Sequence, residues 1–330
     1  MARKLRLEFS GACYHVTNRG NYRRDLFATA GAAESFIGCL DEAALRFNWQ
    51  AHAFGVMSNH FHLALETPEP NLSDGMQWLQ STWASRFNRF RNETGRPFQG
   101  RYKAAHVQPG HDLAQVAHYI HLNPVRAGIV TAEQVLAYRW TSLPRFARPD
   151  RPRWLQASTI LRESGGLADT PAGWKGYVLY LALLAGGGPL GQSANFERLR
   201  REWSIGSMEF KARLAGELAD QDRTADRIEL LGADREQHRR LRAEIWEEKL
   251  RRGAAALGIT LETLPAMKSA PEKVMLAALL KSVSSVSNGW LTGRLHMGKA
   301  SSVSQYIGRF SRSGGTEIPE FKVAQSKVEA

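Results

Sequence analysis

Met57-Ser58-Asn59-His60-Phe61-His62-Leu63-Ala64-Leu65-Glu66 sets two histidines one residue apart inside an apolar, strand-like run. Side chains alternate faces along a strand, so His60, His62 and Glu66 share one face while Phe61, Leu63 and Leu65 share the other. The second face is suited to a core and the first to polar chemistry. Neutral imidazole is the commonest metal ligand, and two on one rigid face leave coordination positions for a substrate. Such a pair taken alone is also what an ordinary surface strand or a satisfied core presents. Glu66 reads equally as a group that tunes a metal and as a solvated strand end.

Working outward, Ser58-Asn59 supplies turn chemistry, and a strand over about residues 50–57 precedes it, which makes a hairpin. Upstream, Cys13-Tyr14-His15-Val16-Thr17-Asn18-Arg19-Gly20 alternates as a strand that stops at a glycine, and helical spacing follows over about residues 31–47. Downstream, Asn71-Leu72-Ser73 is a capping sequence for a long helix with Met76, Leu79, Trp83 and Phe87 on its apolar side, closed by Gly95-Arg96-Pro97. A strand over about residues 101–108 and a helix over 112–122 complete the order β-α-β-β-α-β-α. That order predicts an α+β fold, a ferredoxin-like or RRM-like antiparallel sheet with helices on one face. The other face is expected to stay open, as in platforms for single-stranded nucleic acid. This domain is expected over residues 1–146, ended by a charged, proline-broken linker at 147–153.

Beyond the linker, residues 154–256 read as a helical region, with glycine interruptions at Gly165-Gly166 and Gly186-Gly187-Gly188 and a charged helix over 236–256. Residues 257–312 read as a helix-turn-helix: one helix around Lys273–Leu280, a second over 286–295, the turn His296-Met297-Gly298-Lys299, and a third starting at Ser301. In that reading Lys299, Ser301, Ser302, Ser304 and Gln305 face base edges of duplex DNA; a plain three-helix packing module is the other reading. The tail, 313–330, is polar and expected to be disordered.

Composition narrows the class. The 330 residues are 43% hydrophobic and 23% charged, which suits globular domains and excludes a fibrous or wholly disordered chain. The net charge of +12 favours a polyanionic partner, nucleic acid before membrane surface. The stretch Trp83–Arg91 interleaves aromatics with arginines, which suits phosphate neutralisation with base stacking and equally a solvated helix face over core aromatics. Cys13 and Cys39 form no paired motif, so no disulfide framework is expected and a reducing compartment fits. No secretory pattern follows the basic start, and no apolar run reaches the roughly 18 residues of a membrane span, so a cytoplasmic location is expected.

The chemistry is sharpest in the helix over 112–122. Leu113, Val116, Ala117 and Ile120 form the stripe that packs on a sheet, while Gln115, Tyr119 and Asn123 stack along another face before Pro124 ends or kinks the helix. If that face looks at His60 and His62, the site holds a phenol nucleophile beside a His, His, Asn ligand set. A phenol is a poor nucleophile at neutral pH unless a cation polarises the phosphate it attacks. Attack leaves a 5′-phosphotyrosyl intermediate and a 3′-hydroxyl, and the step can be reversed onto another strand end. A nitrogen and amide-oxygen set with room for phosphate oxygens suits Mg²⁺ or Mn²⁺ better than structural zinc. Arg19, which shares its strand face with His15 and Thr17, is a candidate DNA contact because Gly20 permits close approach. His52, His106, His111, His118 and His121 are read as structural.

Residues from about 11 to 130 resemble the single-tyrosine HUH transposases, and within them the REP-associated tyrosine transposases of the insertion-sequence-200-like group. Four ordered blocks carry the resemblance: Tyr14–Gly20, Met57–Leu63, Phe98-Gln99-Gly100-Arg101-Tyr102-Lys103, and Tyr119-Ile120-His121-Leu122-Asn123-Pro124-Val125-Arg126-Ala127-Gly128. The resemblance implies the HUH endonuclease fold, with His60 and His62 as metal ligands and Tyr119 as nucleophile. Asn123 falls at the third ligand position, where insertion-sequence relatives usually carry glutamine. Arg101, Lys103 and Arg126 lie in these blocks as further DNA contacts. The implied activity is metal-dependent cutting and joining of single-stranded, hairpin-forming repeat DNA by a monomer or homodimer. Two other readings stand beside it: a DNA-binding regulator with a decayed nuclease domain, and a replication-type HUH nickase.

Overall fold

The computed structural model describes residues 7–186, 203–221 and 235–329. They form two compact units, one built from residues 8–207 and one from residues 208–329.

The first unit is organised by a sheet of β1 (Ala12–Arg19), β2 (Gln50–Val56), β3 (His60–Thr67), β4 (Lys103–Val107) and β5 (Ser204–Ile205). The strand order is β2-β3-β1-β4-β5. Its first four strands are antiparallel in the ferredoxin-like arrangement, as predicted. β5 is a parallel addition at the β4 edge, joined by His106 N–H to the Trp203 carbonyl (3.2 Å) and Gln108 N–H to the Ile205 carbonyl (2.7 Å). Two residues are too short a run to show periodicity, so the sequence carried no signal for it.

Helices α1 (Ala30–Arg46) and α2 (Leu72–Arg91) cover the oily face of β3. Thr29 starts α1 by accepting a hydrogen bond from the Ala32 N–H, and the Phe36 ring meets Phe61 at 4.7 Å. Asn71 does not cap α2 with its side chain as expected. Its amide instead accepts from the Trp49 indole (2.9 Å) and donates to the Phe47 carbonyl (2.9 Å), satisfying the N–H of a buried indole.

The histidine face is not left open. Helix α3 (His111–Arg126) packs over β2 and β3, and a Cβ on Gly55 would come within 3.2 Å of Ile120. A bare glycine on β2 is what allows the helix so close. Pro124 neither ends nor interrupts α3 for long: the Ala127 N–H bonds the Asn123 carbonyl (2.9 Å), so the helix resumes through Arg126.

Residues 147–153 are not a linker. Arg151 binds Asp169 (2.6 Å) and the Phe146 carbonyl (3.0 Å), and Ala51 exchanges backbone hydrogen bonds with Trp154 and Gln156. Short helices α4 (Leu143–Phe146) and α5 (Ser158–Glu163) and the longer α6 (Pro171–Gly186) extend the same core through Leu155, Ile160 and Tyr177. Arg148, Asp150 and Arg153 are exposed, while the apolar residues on either side anchor into the sheet domain.

The region 154–256 therefore divides between the units; the expected Gly187-Gly188 interruption and residues 222–234 lie outside the described residues. The second unit contains α7 (Met208–Gln221), α8 (Arg235–Leu257), α9 (Pro271–Val283), α10 (Asn288–Leu295), α11 (Ala300–Arg312) and α12 (Pro319–Glu329). α9, α10 and α11 fall where the helix-turn-helix was expected, with Ser287 capping α10 and His296 ending it in the left-handed region (φ 52°). The tail is a helix and not disordered: Phe321, Ala324 and Val328 bury one stripe of α12 beside Leu279 and Val283. Three apolar residues at helical spacing outweigh its polar composition. Both cysteines are buried thiols, and no helix among the described residues is long and apolar enough to cross a membrane.

Candidate active site

Strand register assembles the site. β1 and β3 pair Arg19 with His60, Thr17 with His62 and His15 with Ala64, and β4 pairs Lys103 with Thr17. Directly paired residues share a face, so His15, Arg19, His60, His62 and Lys103 all stand on the α3 side of the sheet. The His60 and His62 rings lie 5.0 Å apart at right angles. From α3 the Tyr119 ring comes down to 5.4 Å from His62 and 5.8 Å from His15, edge to face. Arg126 closes over Tyr119 with its guanidinium carbon 5.1 Å from the ring centroid. One turn beyond Tyr119, Asn123 is buried with an amide nitrogen that has no hydrogen-bond partner among the described residues. A buried amide N–H donor calls for an acceptor such as a phosphate oxygen or a water.

His15 joins this group although the sequence pattern did not single it out. Its Nε2 lies 3.0 Å from His62 Nδ1, and the two rings stack at 5.2 Å. His60 is engaged in the same way, its Nδ1 2.7 Å from Asn59 Oδ1. Asn59 Oδ1 can only accept, so His60 carries its proton on Nδ1. If His62 does the same and donates to His15, both imidazoles present Nε2 as the ligating nitrogen, the arrangement by which outer partners orient metal-bound histidines. The available signal was the alternation that put His15 and Arg19 on one strand face; what was missing was the pairing register across to His62.

The donors fit an oxygen-loving cation only with help from the substrate. No three His, Cys, Asp or Glu side chains cluster as a metal centre among the described residues, so a cation here would rest on two imidazoles and the Asn123 amide. Glu66 is not part of the set. It pairs across from Cys13, two residues along β3 from Ala64, and binds His52 (3.2 Å).

The remaining expected DNA contacts fall in two places. Arg19, Arg101, Lys103 and Arg126 are all exposed on the first unit, with Arg19 Nε donating to Gln99 Oε1 (2.6 Å). Lys299, Ser301, Ser302, Ser304 and Gln305 lie together at the start of α11 in the second unit, where Asn288 donates to the Ser304 hydroxyl (2.6 Å).

The opposite side of α3 is anchored by a buried polar chain. The Tyr177 hydroxyl lies 2.9 Å from Nδ1 of both His118 and His121, and His121 Nε2 lies 2.8 Å from the Ser142 hydroxyl. Ser142 accepts from the Phe54 N–H (3.0 Å), which ties α3 back to β2. Burial, and then the neighbouring His111, hold the His118 pKa down at about 3. Burial, and then His118, hold His121 at about 3 as well. Both rings are therefore neutral at physiological pH, in keeping with a structural role.

Comparison with known proteins gives the geometry a context. Residues 8–123 match the family described as "Transposase IS200 like". Comparison with curated proteins gives no match. Among solved structures, one described as a REP-associated tyrosine transposase bound to a REP hairpin is similar over 48% of this chain and 93% of its own, at 18% identity and a TM-score of 0.38. The family match opens just before β1 and closes at Asn123, so it takes in His15, His60, His62 and Tyr119. Residues 8–123, a little over a third of the chain, are thus similar to the IS200-like transposases.

Proposed function

We propose that this protein is a metal-dependent single-stranded DNA endonuclease and strand transferase that acts on hairpin-forming repeat DNA through a 5′-phosphotyrosine at Tyr119. The observation that carries the reading is the approach of Tyr119 to His62 on a face shared by His60, His15, Arg19 and Lys103. His60, His62 and Asn123 would hold Mg²⁺ or Mn²⁺, which when bound neutralises charge on the phosphate oxygens and favours an in-line displacement. Tyr119 Oη forms a bond to phosphorus as the bond to the 3′-oxygen breaks, and the departing oxygen takes a proton to become a 3′-hydroxyl. Arg126 stands beside the phenol, where a guanidinium can bind the same phosphate in its planar fork. Arg19 and Lys103 extend the cationic surface along which the backbone of the strand would run. The start of α11 supports a second, duplex contact through Lys299, Ser301, Ser302, Ser304 and Gln305, which would add affinity or site choice.

Incubating the full chain with Mg²⁺ and a labelled single-stranded hairpin oligonucleotide is expected to give a covalent protein–DNA adduct that survives denaturation. Tyr119→Phe is expected to bind the oligonucleotide and form no adduct. Equal adduct from the variant would overturn the assignment. Duplex binding that persists without residues 1–207, in a chain that cuts no DNA with any divalent cation, would instead favour the DNA-binding regulator.

A further inference from the structure

β1 ends at Arg19, and the chain then makes an unusual turn. Tyr22 (φ 53°, ψ 25°) and Arg23 (φ 60°) both occupy the left-handed region, where side chains other than glycine and asparagine are disfavoured. Two consecutive residues of this kind persist only where the surroundings over-determine them, and such places cluster at functional sites. The surroundings here are explicit. The Gly20 N–H bonds the Asn59 carbonyl (2.7 Å), the Asn21 N–H bonds the Pro97 carbonyl (2.7 Å), and the Arg24 N–H returns to the Asn21 carbonyl (3.0 Å). Arg24 also binds Glu93 (2.6 Å), and a Cβ on Gly20 would lie 2.1 Å from the Arg24 carbonyl oxygen. The outcome of all this fixation is a tyrosine that is 93% exposed. A rigid turn that presents a large aromatic ring to water serves no packing purpose.

Its position explains it. Asn59 holds the turn from one side, donating to the Arg23 carbonyl (3.4 Å), and with the same amide group accepts from His60 Nδ1 (2.7 Å). The Tyr22 turn is thus one side chain removed from the first HUH histidine. Arg19 and Arg23 flank it, and both are exposed; Asp25 is the nearby acid in sequence. Aromatic rings flanked by cations bind single strands by stacking on unpaired bases, whatever their sequence.

We propose that Tyr22 is a stacking platform for an unpaired base of the DNA strand adjoining the scissile phosphate. The proposal rests on the single-strand transferase reading of the same site and adds to it a binding subsite for one base. The full chain would be titrated into a fluorescein-labelled, 25-nucleotide single-stranded DNA of mixed sequence and into the matching duplex, with binding read by anisotropy. Tyr22→Ala should weaken single-strand binding about tenfold and leave duplex binding unchanged, while Tyr22→Phe and Tyr22→Trp should bind like the parent. Tyr22→Gly should weaken single-strand binding as much as Tyr22→Ala, yet melt at the same or a higher temperature, since glycine accepts the left-handed backbone. Single-strand binding by Tyr22→Ala equal to that of the parent would overturn the proposal. So would equal losses on single strand and duplex, or a loss in Tyr22→Phe as large as in Tyr22→Ala. The two readings fail separately. A parent chain that forms no covalent adduct while Tyr22→Ala still loses single-strand affinity removes the transferase and keeps the platform; normal adduct with full affinity in Tyr22→Ala does the reverse.

Discussion

His15 shows how one residue can decide the behaviour of another. Its Nε2 lies 3.0 Å from His62 Nδ1 on the neighbouring strand, so it can set the tautomer and the ring plane of the candidate ligand. Outer partners of this kind are typically worth about 10- to 100-fold in metal affinity. His15→Ala is therefore expected to weaken Mn²⁺ binding by about that factor, measured by titration calorimetry on the DNA-free chain. His15→Gln can place an amide near the position of Nε2 and should recover most of the loss. Mn²⁺ affinity unchanged in His15→Ala would mean that His62 is oriented by something else. Glu66 marks the opposite case, since sharing a strand face with the histidines proved insufficient: its distance along the strand and its bond to His52 remove it from the centre.

At the scale of elements, α3 carries two functions on two sides. Tyr119 and Asn123 face the sheet histidines, while His118 and His121 meet Tyr177 on the other side, so the rotation of the helix about its axis is pinned. Tyr177→Phe removes a hydroxyl shared by two buried imidazoles and leaves polar nitrogens unpaired, a loss of about 1–3 kcal/mol in unfolding free energy. Urea denaturation would measure it, and a variant as stable as the parent would show that the network contributes nothing net. The same burial makes stability depend on pH. With folded-state pKa values of about 3 and ordinary values of 6.5, His118 and His121 take up protons in the unfolded chain first. Their contribution is complete above pH 6.5 and is lost as the pH falls from 6.5 toward 3, with a slope of up to about 1.4 kcal/mol per pH unit for each ring. Thermal melts between pH 7.5 and 5 should show the decline, and His118→Asn should make it shallower; parallel curves would show that His118 does not drive it. Much of this architecture was legible beforehand. Period-two runs marked β1 to β4 and period-3.6 stripes marked α1 to α3, because each is a local pattern. The Tyr177 anchor was not legible, since it joins residues 56 and 59 positions apart and no local pattern connects them. α12 was missed for a different reason: its buried stripe is only three residues wide in a polar stretch, and composition concealed the period.

For the whole molecule, the division between units decides what can be cut away. A proline-rich, charged stretch at 147–153 looks like a natural boundary, yet the core of the first unit draws in Trp154, Leu155, Ile160, Trp174 and Tyr177 from beyond it. The backbone of β2 depends on the same segment through the paired bonds of Ala51 with Trp154 and Gln156 (both 2.8 Å). A chain ended at Phe146 therefore exposes apolar surface that the full protein buries, and leaves one edge of β2 and the rear of α3 without partners. Each fully buried large side chain contributes roughly 1.5–3 kcal/mol, so losing five removes an amount comparable with the whole margin of about 5–15 kcal/mol by which domains are stable. A chain ended at Ser207 keeps α4 to α6 and the β5 strand on β4. Calorimetry should accordingly find a single cooperative transition for residues 1–207 and a broad or absent one for residues 1–146. Equal cooperativity in the two truncations would mean that the sheet and α1 to α3 suffice for the fold, and that the segment from 147 to 207 decorates a complete domain.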